Sequence, residues 1–336
     1  MYEDSILVLT KINHVNELKD QGYTILRNVL DPETDIQPLI NENVQVLKSL
    51  IKTLNKQGKI NNTYEGLEGS DLFSKFIIDT GQEFFDAFNI FLNYGRTPTS
   101  NDQMYVHPEM FNLLRNPKLI DSLEQFLGSE IAVNPLHITR MKPPEKALPM
   151  DVQIHPDGSI SKTNWHQDLW AFQDEANDTN VITVWVPMNE STENNGCLLV
   201  VPGSHKAGEL NIHCKPSETK KGFKGIPDSI VSKNRVPLPV NPGDIIVMDV
   251  LTEHSALENK SDGLRWSYDL RYQVANQPAG QGIRKAWTVR SKSDPESEFK
   301  KFEQWKEYWE DIKEYEYKNG GSNWGTRYSL NDPMCV

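Results

Sequence analysis

Residues 264–272 alternate without a break. Leu264, Trp266, Tyr268, Leu270 and Tyr272 fall on one side, and Arg265, Ser267, Asp269 and Arg271 on the other. A period of two belongs to a β-strand, whose successive side chains point to opposite faces. The aromatic face needs a covering layer. Once it is covered, the charged row turns into a cavity, and charges inside a protein are costly unless they are paired or met by an ion. A dicarboxylate would meet them, because arginine presents a planar fork matched to a carboxylate and the Ser267 hydroxyl adds a further contact. The alternatives are that these arginines face water, as most arginines do, or that Asp269 and Arg271 pair with each other.

A second pattern lies upstream, in Asn164-Trp165-His166-Gln167-Asp168-Leu169-Trp170. On a strand, His166 and Asp168 share a face and Gln167 turns away. His254 follows the turn Pro242-Gly243-Asp244 and the apolar run Ile245–Val250, at the point where that strand meets a loop. Two histidines and one carboxylate form the facial triad that leaves half of an octahedral iron open. An isolated His-x-Asp is more often a surface or turn element, so the weight comes from what accompanies it.

The accompanying motifs are His166-Gln167-Asp168-Leu169, Thr183-Val184-Trp185-Val186-Pro187-Met188, Asn194-Asn195-Gly196-Cys197-Leu198, Val201-Pro202-Gly203-Ser204-His205, Gly243-Asp244, His254 and Arg265-x-Ser267, with Gln21–Leu30 as an opening strand. In this order they resemble the phytanoyl-CoA dioxygenase family, a branch of the Fe(II)- and 2-oxoglutarate-dependent oxygenases, over roughly residues 15 to 275. The resemblance implies Fe(II) on His166, Asp168 and His254. It places 2-oxoglutarate with its far carboxylate on Arg265 and Ser267, Trp185 beside it, and O2 at the last position. The co-substrate leaves as succinate and CO2 while an unactivated C–H is oxidised, by hydroxylation or by oxidative cyclisation or desaturation. Relatives that halogenate have a small residue where this chain keeps Asp168, so hydroxylation is favoured. Candidate substrate contacts are Gln153, Asn164, Trp170, Phe172 and Arg271. A small polar metabolite, such as an amino acid or a natural-product intermediate of secondary metabolism, is the expected substrate. The rival readings are a non-catalytic jelly-roll binding protein and a cupin-type metalloenzyme that does not use 2-oxoglutarate.

Strand and turn signals between about 130 and 290 predict eight or so antiparallel strands in a double-stranded β-helix, the jelly roll shared with cupins. The fold class is therefore mainly β with helical additions, read as one domain in three zones. Residues 1–128 supply a strand and helices, near 36–54, 73–91 and 110–127. Residues 129–292 form the catalytic core, and 293–336 a helix and tail. The strands are expected near 131–141, 152–155, 160–168, 180–188, 197–202, 235–239, 244–251, 264–274 and 286–290, and the C-terminal helix carries Phe299, Phe302, Trp305, Trp309, Ile312 and Tyr315 near one stripe. That stripe packs on the core or forms a dimer surface, so the chain is a monomer or a homodimer.

The formal net charge of −12 argues against nucleic acid as partner, since that requires a basic footprint, and disfavours anionic membranes. No run of about 18 apolar residues is present. Cys197, Cys214 and Cys335 are too few and too scattered for a disulfide framework, and Cys197 falls in a strand-like run as a small core residue. Reduced thiols, an acidic first turn of sequence and an oxidation-prone iron together suit a cytoplasmic location.

Overall fold

The computed structural model describes residues 13–81, 88, 104–149, 163–215, 225–320 and 327–335. Val181–Pro187 (β5) is buried at every position, as befits a strand covered on both faces. It pairs with Arg265–Val274 (β10) on one side and Ile245–Asp249 (β8) on the other, at the centre of a seven-stranded antiparallel sheet. Tyr23–Leu26 (β1) extends the sheet beyond β8. Beyond β10 lie Glu130–Val133 (β2), Ile138–Lys142 (β3) and Trp287–Ser291 (β11). The second sheet has four strands in the order β4-β9-β6-β7, formed by Thr163–His166 (β4), Leu198–Val200 (β6), Val236–Leu238 (β7) and His254–Ala256 (β9).

The alternation in β10 sorts as its sequence demands. Trp266, Tyr268, Leu270 and Tyr272 join one large apolar core with Ile182, Val184 and Val186 and with the helices. Each fully buried side chain of this kind contributes about 1.5–3 kcal/mol relative to exposure. On the other face, Trp185, Ile246 and Met248 meet Leu198, Val200, Leu238 and Ala256 between the two sheets.

The helices begin and end where local chemistry dictates. Asp31 accepts hydrogen bonds from the amides of Glu33 and Thr34, opening the turn Pro32–Ile36 that runs into Gln37–Lys56 (α1). Gly69–Thr80 (α2) stops at Gly81, whose φ of 66° is left-handed. Apart from Phe88, the rest of the helix expected through residue 91 lies outside the described residues. Pro117 divides the stretch expected over 110–127 into Pro108–Leu114 (α3) and Pro117–Leu127 (α4), with the Asn116 side chain capping α4. Phe302–Asn319 (α5) packs Trp305, Trp309 and Ile312 into the core.

Several expectations need correction. The strand expected over 131–141 is two strands, because Pro135 cannot continue a ladder and the Asn134 side chain turns the chain by accepting from the Leu136 amide at 3.0 Å. The strand expected over 160–168 ends at His166, and Asp168 opens a short 3-10 turn, Asp168–Ala171. His254 does not end the apolar strand. That strand is β8 of the larger sheet, and the chain crosses before His254 opens β9 in the smaller one. The α5 stripe leaves Tyr315 49% exposed and continues instead to Glu316, which is buried in a two-pronged ion pair with Arg284 at 2.8 Å on each arm. The thiols are not all reduced. Cys214 and Cys335 form a disulfide, so the argument from reduced cysteines to a cytoplasmic location does not hold, while Cys197 is free and buried as expected. The strand expected over 152–155 lies outside the described residues. Among the described residues no helix is long and apolar enough to cross a membrane.

Candidate active site

The pairing of β4 with β9 sets His166 directly opposite His254, and the ring centroids lie 4.1 Å apart. Gln167 stays extended (φ −117°, ψ 133°), so the two-residue alternation persists one step past the strand and returns Asp168 to the side of His166. Asp168 Oδ1 lies 3.5 Å from His166 Nε2 and 3.8 Å from His254 Nε2. Gln167 points away. Its side-chain nitrogen donates to the Leu251 carbonyl at 2.8 Å and its oxygen accepts from the Asn211 amide at 2.7 Å.

Both histidines are held in the tautomer that metal binding requires. His166 Nδ1 donates to the Asn164 carbonyl at 2.8 Å and His254 Nδ1 to the Thr252 carbonyl at 3.0 Å. A carbonyl only accepts, so each Nδ1 carries the proton and each Nε2 presents a lone pair. Burial, and then the neighbouring His166, push the His254 pKa down to about 4, which keeps that ring neutral at ordinary pH. Burial alone would raise the Asp168 carboxyl. The Arg271 guanidinium, 2.8 Å from Oδ2, outweighs it and holds the acid well below the usual carboxylate range. An ionised oxygen and two free imidazole nitrogens, all within 4.8 Å of one another, fit a divalent iron.

The two triad histidines line a cavity between the sheets, together with Trp185, Arg265 and Arg271. Arg265, in its lining, is 1% exposed, donates to the Ser267 hydroxyl at 2.6 Å and lies 5.5 Å from the Trp185 ring. Its Nε has no partner, and among the described residues no carboxylate pairs with it. A buried cation left open beside a hydroxyl fits the distal carboxylate of a small dicarboxylate such as 2-oxoglutarate.

The remaining sequence candidates are spread more widely. Arg271 is 2% exposed and its Nη2 sits 2.8 Å from Asp168 Oδ2. Asn164 supplies the carbonyl that orients His166. The half-buried Trp170 packs on Tyr328 of the C-terminal segment at 5.4 Å. Phe172 is fully buried with Leu136, Ala171 and Ala176, outside the cavity lining. Gln153 lies outside the described residues. His213 accepts from the Gln167 amide at 3.1 Å and so braces the residue between His166 and Asp168 from behind.

Sequence reasoning missed three polar lining residues, Arg140, Thr163 and Thr183. Arg140 pairs with Asp269 at 3.0 Å, in place of the Asp269–Arg271 pair considered from sequence. The signal was available: Ile138-Thr139-Arg140-Met141-Lys142 has the same polar alternation as β10, and the register sets Arg140 opposite Ser267 and Lys142 opposite Arg265. Lys142 is fully buried, and burial followed by the charges of Arg265 and Arg140 holds its pKa well below that of a free lysine.

Comparison with known proteins agrees with this geometry. The sequence profile described as phytanoyl-CoA dioxygenase matches residues 18–267. The peroxisomal phytanoyl-CoA dioxygenase of Homo sapiens is 27% identical over 262 residues, covering 77% of this chain and 67% of that protein. That of Bos taurus is 31% identical over 173 residues, which is 50% of this chain and 47% of that one. In fold, the apo form of the non-heme monooxygenase ThoJ is similar with a TM-score of 0.50 at 16% identity, covering 82% of this chain and 83% of that one. The chain belongs to the phytanoyl-CoA dioxygenase family, and with it to the iron- and 2-oxoglutarate-dependent oxygenases.

Proposed function

We propose that the protein oxidises an unactivated C–H of a small polar metabolite, an amino acid or natural-product intermediate, by hydroxylation or by ring closure or desaturation. One observation carries this reading. His166 and His254, gathered with Asp168 into one cluster of ligand atoms, line the same cavity as Arg265, which is bonded to Ser267. His166, Asp168 and His254 would hold the iron, and Arg265 and Ser267 the far carboxylate of 2-oxoglutarate, with Trp185 flanking it. Bound iron with 2-oxoglutarate and O2 supplies the oxidising power, and the co-substrate leaves as succinate and CO2.

The chain's own residues do the positioning. The Asn164 and Thr252 carbonyls fix the two rings, and the larger sheet walls the pocket with buried side chains that exclude water. The test is succinate release with Fe(II), 2-oxoglutarate and O2 across a panel of amino acids, polar metabolites and acyl-CoA thioesters. Stimulation by a polar metabolite with one oxidised product supports the reading. Stimulation by acyl-CoA alone overturns the substrate class, and substrate conversion without any succinate overturns the use of 2-oxoglutarate.

A further inference from the structure

Asp168 has two oxygens, and the fold treats them differently. Oδ1 faces the imidazole nitrogens of His166 and His254. Oδ2 receives Arg271 Nη2 at 2.8 Å and the Thr183 hydroxyl. The two donors come from neighbouring strands. The β10–β5 register sets Arg271 directly opposite Thr183, so both side chains rise from the same point of the sheet toward the same atom. Arg271 is also committed elsewhere, since its Nη1 donates to the Leu136 carbonyl at 3.3 Å and the Asp269 carbonyl at 3.4 Å. Arg271, Thr183 and Asp168 are each no more than 2% exposed.

We infer that Arg271 and Thr183 are positioning residues that bind Asp168 to iron through Oδ1 alone. With Oδ2 occupied by a guanidinium and a hydroxyl, the carboxylate cannot turn to chelate with both oxygens. The coordination positions needed for the co-substrate and O2 therefore stay open. The two donors also hold the carboxylate in place beside the rings before the metal arrives, so removing either costs metal affinity, and the cation's pull on the carboxylate tunes the bound metal. This assigns Arg271 to the metal and not to a substrate carboxylate. It rests on the triad reading proposed above.

The test compares Thr183→Val, which removes one donor at nearly constant shape, with Thr183→Ser, which restores the hydroxyl, and with Arg271→Met. The readouts are the anaerobic Fe(II) dissociation constant, the position of the Fe(II)–2-oxoglutarate charge-transfer band and the melting temperature of the metal-free protein. The expected result is Fe(II) binding weakened roughly 10-fold in Thr183→Val and about 10–100-fold in Arg271→Met. Thr183→Ser should regain wild-type affinity, and the band should shift in Arg271→Met. Wild-type Fe(II) affinity and an unshifted band in both Thr183→Val and Arg271→Met, with only the organic substrate's KM raised, would make Arg271 a substrate anchor and overturn the inference while leaving the triad intact. Failure of the unmutated protein to bind Fe(II) would overturn the triad reading and this inference together.

Discussion

Arg265→Met should move two measurements in opposite directions. The guanidinium is 1% exposed, its Nε is unpartnered, and burial, with Asp269 working against it and Arg140 with it, brings its pKa from 12.5 down to about 10. A shift of that size corresponds to a penalty of about 3 kcal/mol on the buried cation. Methionine fills much of the same space without the charge. It forfeits the hydrogen bond to Ser267, worth about 1 kcal/mol. The metal-free, 2-oxoglutarate-free variant should therefore be more stable than the parent, by an amount on the order of 2 kcal/mol. Binding of 2-oxoglutarate should suffer, because truncating one partner of a buried charge pair costs about 2–5 kcal/mol, roughly thirty-fold to several thousand-fold in Kd. Urea unfolding of the metal-free protein gives the first quantity, and calorimetric titration of 2-oxoglutarate into protein loaded with Mn(II) gives the second. An unchanged 2-oxoglutarate Kd, or a variant several kcal/mol less stable than the parent, would refute the reasoning, because either would show that Arg265 already has its partner within the protein.

Other perturbations have equally definite signs. Glu316→Ala removes the buried carboxylate that holds both arms of Arg284 and should cost about 3–5 kcal/mol in urea unfolding, with activity per folded molecule unchanged. Cys335→Ser opens a link between residues 121 positions apart and should lower stability by about 2–5 kcal/mol, while the intrinsic Fe(II) affinity persists. His137, His213 and His254 are buried, and burial in each case leads the depression of their pKa values to about 3, 4 and 4. The unfolded chain then binds more protons than the folded one between about pH 6.5 and 4, so metal-free stability should fall as pH falls through that window, by up to about 3 kcal/mol for a histidine shifted to about 4. A flat unfolding free energy across that range would show that these rings are protonated in the fold.

Much of the site was legible because it is written in strand alternation. β10 declared a charged inner row and an aromatic outer row, and both faces are where a period of two puts them. His166 and Asp168 converge although the strand ends between them, because extended backbone at Gln167 is enough to keep the alternation. What the sequence could not show was pairing across strands. The joining of Arg271 and Thr183 at Asp168 depends on β10 lying beside β5, and the Arg140–Asp269 pair on β3 lying beside β10, and neither register follows from local composition. The crossing that puts β8 and His254 in different sheets is likewise a property of the whole topology. The disulfide escaped for a related reason. Cys214 and Cys335 meet because Arg327, Tyr328 and Ser329 dock the C-terminal segment against Phe172, Trp170 and His213, and no spacing in the sequence reports that contact. Turn chemistry was more transparent. Pro242-Gly243-Asp244 forms the predicted turn, with Gly243 at φ 96° where an added Cβ would lie 2.5 Å from the Leu30 carbonyl oxygen.

The measurement that bears most directly on the central claim is anaerobic titration of 2-oxoglutarate into the Fe(II)-loaded protein, followed by visible absorption. The account predicts a weak charge-transfer band that saturates at one equivalent, is lost in His166→Ala, and decays with formation of succinate once O2 is admitted. Tight iron binding with no band at any 2-oxoglutarate concentration would contradict it, and would place the protein among metal-binding jelly rolls that do not use this co-substrate.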